Sequence, residues 1–247
     1  MSSNPANSIP PQPPEALQGF HALPTGERPG SREGLRRQIS RFLREGLRAI
    51  KRARVRLGTG GVEILAAHDR VEGILKLQES QLLHQLARGR RTIVEIGSFR
   101  GRSTVLLALG SAECQGEVWA IDPHMPSPDA PWMPFNSTDL DAFRKNVREF
   151  GIERRVHEIL STSDQARTTW AGKGIDLLWI DGDHTFEGAS RDLSNWTPLL
   201  NPGGVVAAHD YSKHWPSVQK AWDQFMAKSS CFVHSGRVKA IVWARKV

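Results

Sequence analysis

Between residues 92 and 208, five short apolar runs recur, and the stretches separating them have the period and polarity of helices. The runs are TIVEI (92–96), EVWAI (117–121), VHEIL (156–160), IDLLWI (175–180) and GGVVAA (203–208); helix-like stretches fill 103–109, 138–149, 163–171 and 185–200. Strands that are apolar on both faces need cover on both sides, and alternation with helices supplies it. The pattern predicts an α/β chain with a mostly parallel sheet and helices on each face. After a helix expected over 216–228, CFVHSGRVKAIVWARKV reads as two more strands joined through Gly236, an antiparallel closing pair that brings the count to seven.

Upstream the texture changes. Residues 1–30 hold NPANSIPPQPPE and LPTGERPGS, rich in Pro, Ser and Gly, which predicts a disordered tail. Residues 31–57 carry ten Lys or Arg against Glu33 and Glu45, net +8, while the whole chain is +7, so the remainder sums to −1. Within that segment Leu35, Ile39, Phe42, Leu43, Leu47 and Ile50 recur at three- and four-residue steps, and Arg37, Arg41, Arg44, Arg48 and Lys51 form a second stripe. This predicts a basic amphipathic helix within residues 31–60. Two uses stay open: contact with a membrane surface or an acidic partner, and docking of the apolar stripe on the domain or on a second subunit. The segment GVEILAAHDRVEGILKLQESQLLHQLARG then reads as one or two helices stopped near Gly89, opening a domain expected over 61–247.

Composition excludes several classes. Cys114 and Cys231 lie far apart without ligand-like spacing, so neither a disulfide framework nor a zinc finger is expected. No apolar run approaches the ~20 residues needed to span a bilayer, and no charged-then-apolar segment opens the chain. A cytoplasmic location is the expectation.

In an open parallel sheet, ligands bind beyond the carboxyl ends of the strands, so the strand exits carry the functional reading. The first is VEIGSFRGRST (94–104): Glu95 ends the strand, Gly97 and Gly101 permit a tight turn and close backbone approach, and Ser103 opens a helix whose free N–H groups favour an anionic group. The spacing G-x-x-x-G disfavours a dinucleotide site, which wants G-x-G-x-x-G. At the second exit, Asp122 can accept hydrogen bonds from two ribose hydroxyls or serve as a turn residue before Pro123. At the third, Ser163 and Asp164 can meet an adenine edge or cap a helix.

Together these exits resemble the class I S-adenosylmethionine-dependent methyltransferases, with LLNPGGVVAAHD (199–210) matching the Pro-Gly-Gly turn and fifth strand of that family. EIGSFRGRS looks like the catechol and caffeoyl-CoA O-methyltransferase type, and IDGDHTFEGASRDLSNWTPLLNPGGVVAAHDY is similar to the small-molecule and sugar-directed O-methyltransferases. The resemblance implies a Rossmann-like, doubly wound sheet and a methyl donor, S-adenosyl-L-methionine, held by Glu95, Gly97, Ser98, Gly101, Ser103, Asp122, Ser163, Asp164 and Asp181. It also implies a small-molecule hydroxyl acceptor, a sugar or phenolic compound, and a divalent ion, Mg²⁺ or Mn²⁺.

The segment DLLWIDGDHTF (176–186) sets Asp181, Asp183 and His184 at the exit of a buried strand. In the implied topology the fourth and fifth strands are neighbours, so Asp181 converges with His209 and Asp210, a candidate metal set. The histidine departs from the family pattern of acids and suits Mn²⁺, Fe²⁺ or Zn²⁺ better than Mg²⁺. His184 resembles the general base of the sugar-directed relatives, with Asp181 as its catalytic companion; the alternative is a histidine that caps a helix or bonds Asp181. Asp183 reads equally as a helix cap, and Asp192 and Trp196 as packing. Two roles stay open for the loop 123–139, where Met125, Trp132, Met133 and Phe135 give apolar surface: substrate choice, and packing against the amino-terminal helix in a dimer. Two rivals differ in kind: a nucleic-acid methyltransferase, against which the fourth strand ends in I-D-G-D rather than N-P-P-Y or D-P-P-Y, and a non-catalytic binding protein anchored by the basic helix.

Overall fold

The computed structural model describes residues 32–125, 137–171 and 173–247; the tail expected over 1–30 lies outside the described residues. Three helices come first: α1 (Arg32–Arg56), α2 (Gly61–Arg70) and α3 (Leu77–Ala87). The alternating part follows as β1 (Thr92–Ile96), α4 (Arg102–Gly110), β2 (Glu117–Ile121), α5 (Ser137–Glu149), β3 (Val156–Ile159), α6 (Ser163–Thr169), β4 (Ile175–Ile180), α7 (Phe186–Trp196) and β5 (Leu200–Ala208). The chain closes with α8 (Pro216–Lys228), β6 (Phe232–Val238) and β7 (Ile241–Lys246).

The seven strands form one sheet in the order β3-β2-β1-β4-β5-β7-β6. The first five are parallel, and β7 runs antiparallel to both β5 and β6. Growth starts at β1, proceeds outward to β3 and then restarts on the other side of β1 with β4. The reversal of direction lies between β1 and β4, which is where a doubly wound sheet opens a crevice.

Helices cover both faces, as the apolar runs require. Ile64 and Ala67 of α2, Leu83 and Ala87 of α3, Leu106 and Leu107 of α4 and Phe143 of α5 pack on one side. Ala166 of α6, Leu193 and Trp196 of α7 and Trp222 of α8 pack on the other. The central run of β4 places Leu177, Leu178 and Trp179 fully out of water, and each such side chain contributes roughly 1.5–3 kcal/mol of burial free energy.

The two largest departures from the expected boundaries lie on either side of residue 200. The helix expected over 185–200 ends at Trp196 and passes into a single 3-10 turn, Thr197–Leu199; Pro198 has no N–H to continue the α-helical ladder. The strand expected from 203 begins at Leu200, because the ladder with β4 slips between Ile175 and Leu177 and Gly203 takes φ +77°. Only a residue tolerant of the left-handed region fits such a bulge without strain.

Candidate functional site

Residues just past the parallel strands keep one more ladder bond each, and this lines up the exits. Asp122 N–H donates to Ile159 O (3.1 Å), Gly97 N–H to Ile121 O (2.9 Å), Asp181 N–H to Ile96 O (2.8 Å) and His209 N–H to Ile180 O (3.0 Å). Asp122, Gly97, Asp181 and His209 therefore stand side by side along one edge of the sheet. Gly97 has φ +85°, and a Cβ there would lie 2.1 Å from the carbonyl oxygen of Asp181. Glycine is the residue that lets the first loop meet the fourth strand so closely.

The first loop is stitched to the second exit by Asp122. Its Oδ2 accepts the N–H groups of Ser98 (2.9 Å) and Phe99 (2.8 Å), and its Oδ1 accepts that of His124 (2.7 Å). Phe99 and His124 both hold φ 47°, an uncommon conformation for residues with a Cβ. A carboxylate has about four lone-pair positions, so three amides leave capacity for a hydroxyl. The turn role at Asp122 therefore leaves room for the ribose role expected of it.

Glu95 is placed differently from the other members of the expected donor set. Its side chain is fully buried, with Oε2 accepting the Thr104 hydroxyl (2.5 Å) beneath α4. Burial pushes its pKa up to about 8, and the hydrogen bonds from Ser103 and Thr104 offset this only partly. Ser98 and Ser103 are also buried, and Gly101, with φ +88°, caps α4. At the third exit the hydroxyl of Ser163 donates to Asp192, and Asp164 accepts from Asn195 Nδ2 (3.0 Å) and pairs with Arg191 (2.7 Å). Both side chains are thereby turned toward α7, and Thr162 is the N-cap of α6.

Beyond β4 and β5 the acids meet. His209 Nδ1 lies 3.2 Å from Asp181 Oδ1 and 3.3 Å from Asp210 Oδ2. His184 Nε2 lies 2.8 Å from that same Asp210 oxygen, and its ring stacks on Trp215 with centroids 4.4 Å apart. Asp210 sits at φ 57°, a left-handed turn that swings its carboxylate back between the two imidazoles. Ligand atoms of Asp181, His184 and Asp210 all lie within 4.8 Å of one another, a spacing that a divalent ion could bridge. His209 faces both carboxylates of this group from beneath.

The charges reinforce one another. Burial opposes the charged form of His184, yet the bond to Asp210 and the charges of Asp210 and Asp181 outweigh it and raise the pKa. The same balance lifts His209 well above the ordinary histidine value, with Asp181, Asp210 and Glu79 outweighing burial. Burial raises Asp210, but the two imidazoles overcome it and hold its pKa far below the carboxylate range.

Two members of this cluster were not evident from sequence. Glu79 on α3 is almost fully buried; Oε2 accepts Lys76 N–H (2.7 Å), Oε1 accepts Ala240 N–H (2.9 Å), and Oε2 stands 3.7 Å from His209 Nε2. Its local signal is that of an acid in a helical first turn, which reads as a cap. Trp215 precedes Pro216 at the start of α8, and nothing in that dipeptide points toward His184. Asp183 accepts from Thr185 N–H (2.8 Å) and Thr185 Oγ1 (2.7 Å), so it organises the turn before α7. Asp192 and Trp196, both on α7, are buried, Asp192 accepting the hydroxyl of Ser163 on α6 and Trp196 packing in the core. Of the substrate-loop residues, Met125 is exposed, while Trp132, Met133 and Phe135 lie outside the described residues.

Residues 94–211 match the family model described as a methyltransferase domain. An uncharacterized protein of Acanthamoeba polyphaga mimivirus is 27% identical over 141 residues, which cover 55% of this chain and 59% of that protein. The match thus spans about three-fifths of that relative's length. Among solved structures, the O-methyltransferase from Bacillus cereus in complex with SAH aligns with TM-score 0.54 at 18% identity, over 75% of this chain and 89% of that one. The O-methyltransferase NovP aligns with TM-score 0.57 at 18% identity, over 69% of this chain and 80% of that one.

Proposed function

We propose that residues 94–211, which match a family model described as a methyltransferase domain, form a class I, S-adenosylmethionine-dependent methyltransferase domain that transfers the methyl group to a hydroxyl of a small molecule, a sugar or a phenolic compound. The observation that carries this reading is the contact between His184 and Asp210 beside the glycine loop. A hydroxyl oxygen attacks the sulfonium methyl in line; the new O–C bond forms as the S–C bond breaks, leaving S-adenosylhomocysteine. The hydroxyl proton needs an acceptor, and His184 is the group suited to it. Asp210, held to Nε2 at 2.8 Å, orients the ring so that Nδ1 is the free base and stabilises the imidazolium that forms. Trp215, stacked on the ring, fixes its plane.

For the donor, the amides of the loop 97–101 and the remaining lone pair of Asp122 are the groups expected to receive it. The O-methyltransferases of similar fold support oxygen as the nucleophile. The fold family also implies a divalent ion, and the carboxylates of Asp181 and Asp210, within 4.8 Å of each other, would hold it while leaving His184 Nδ1 for the proton. Two carboxylates suit Mg²⁺ or Mn²⁺. When bound there, such an ion would acidify the acceptor hydroxyl.

Calorimetric titration of the full chain with S-adenosylmethionine, with EDTA and then with added Mg²⁺ or Mn²⁺, tests the reading. Donor binding is expected to survive chelation. Asp181→Ala and Asp210→Ala are expected to abolish metal affinity while leaving donor affinity within a few-fold. Absence of donor binding overturns the function; unchanged metal affinity in both variants overturns the metal assignment alone.

A further inference from the structure

The basic helix α1 has no part in the chemistry above, and its surface is unusual for one. Ile39, Phe42, Leu43, Leu47 and Ile50 are each between 51% and 76% exposed. At 3.6 residues per turn these five fall within an arc of about 140°, and Arg37, Arg41, Arg44 and Arg48 centre on the opposite side. The helix Arg32–Arg56 carries ten cations and two acids, net +8.

An occupant has to satisfy both stripes. A second copy of α1 would cover the apolar arc but bring +8 against +8. A nucleic acid would neutralise the arginines and leave phenyl and aliphatic groups in water. A bilayer with anionic phospholipids meets both demands, taking the apolar arc into the acyl boundary while the arginines, on flexible stems, reach the headgroup charge. Among the described residues no helix is long and apolar enough to cross a membrane, so the contact is one of lying on the surface. We propose that α1 seats this protein on an anionic phospholipid bilayer.

Sedimentation of the full chain with vesicles of phosphatidylcholine alone, and with about 30% phosphatidylglycerol, tests it. Binding to the anionic vesicles is expected to be at least roughly tenfold tighter and to fall as salt is raised from 0.1 to 0.5 M, as expected for screened surface charge. Phe42→Glu and, separately, Leu43→Glu are expected to weaken it by about tenfold or more, the loss of one buried apolar side chain. Donor affinity and circular dichroism should be unchanged in both variants, which shows that the fold is intact. Equal affinity for the two vesicle types, or binding to neither, overturns the proposal. So does a dimer in light scattering that Phe42→Glu dissociates, or salt-sensitive RNA binding, when either occurs without vesicle binding.

Discussion

Glu95 and Asp210 stand at the same end of one sheet, and burial drives the titration of both in the same direction. They arrive at different charge states. Glu95 faces only the hydroxyls of Ser103 and Thr104, with the charges of Asp181 and Asp122 adding to its cost, and its pKa rises to about 8. Asp210 faces two imidazoles, which overcome burial and keep it ionised. Burial sets the penalty for a charge, and the partner on the neighbouring strand decides whether the charge survives it. One acid is consequently a neutral prop beneath the glycine loop, whereas the other is a charged member of the cluster beyond β4 and β5.

The sharpest way to break that contrast is to remove the charge of Asp210 while keeping its shape. Asp210→Asn leaves the base His184 without its orienting anion and is expected to lower turnover by ~10²–10⁴, the range supplied by general acid–base catalysis, with donor affinity in calorimetry nearly unchanged. Comparable loss of donor affinity would mean that Asp210 serves binding instead. Next in size is Gly97→Ala, which presses on the carbonyl of Asp181, where a Cβ would come within 2.1 Å. Strain at positive φ plus the clash should cost about 2–4 kcal/mol, seen as a lower melting temperature together with weaker donor binding. A melting point equal to that of the parent would show that the two exits can separate freely.

Smallest is Glu95→Gln. The folded protein binds a proton at Glu95 that the unfolded chain releases near pH 4.5, so stability should fall as pH rises from about 4.5 to 8 and then level off. The glutamine variant should lack this slope and melt a few degrees above the parent at pH 9, with little difference at pH 5. Parallel melting curves for the two proteins would show that Glu95 titrates normally.

Much of the architecture was legible because it rests on local pattern. Apolar runs such as IDLLWI could be buried only between two helical layers, and β4 appears at Ile175–Ile180, as read. Gly97 and Gly101 both adopt the positive φ that a tight strand-to-helix turn needs. Boundaries set by a later tertiary contact were less legible. The start of β5 depends on a slipped ladder with β4, and a ladder slip leaves no mark in the residues of one strand. Within the site, Asp181, His184, His209 and Asp210 were identifiable as strand-exit residues. Their pairing was not, since the turn at Asp210 selects which imidazole each oxygen meets.

The sequence alone determined the layered sheet, the glycine loop, the acids at the strand exits and the two-striped helix α1, because each follows from side-chain period and local backbone freedom. Tertiary structure alone decided which buried acid is charged, and it brought in Glu79, which reaches Ala240 across 161 residues and stands beside His209. The physical reason is that charge in a low-dielectric interior depends on groups within a few ångströms, and chain separation carries no information about that distance.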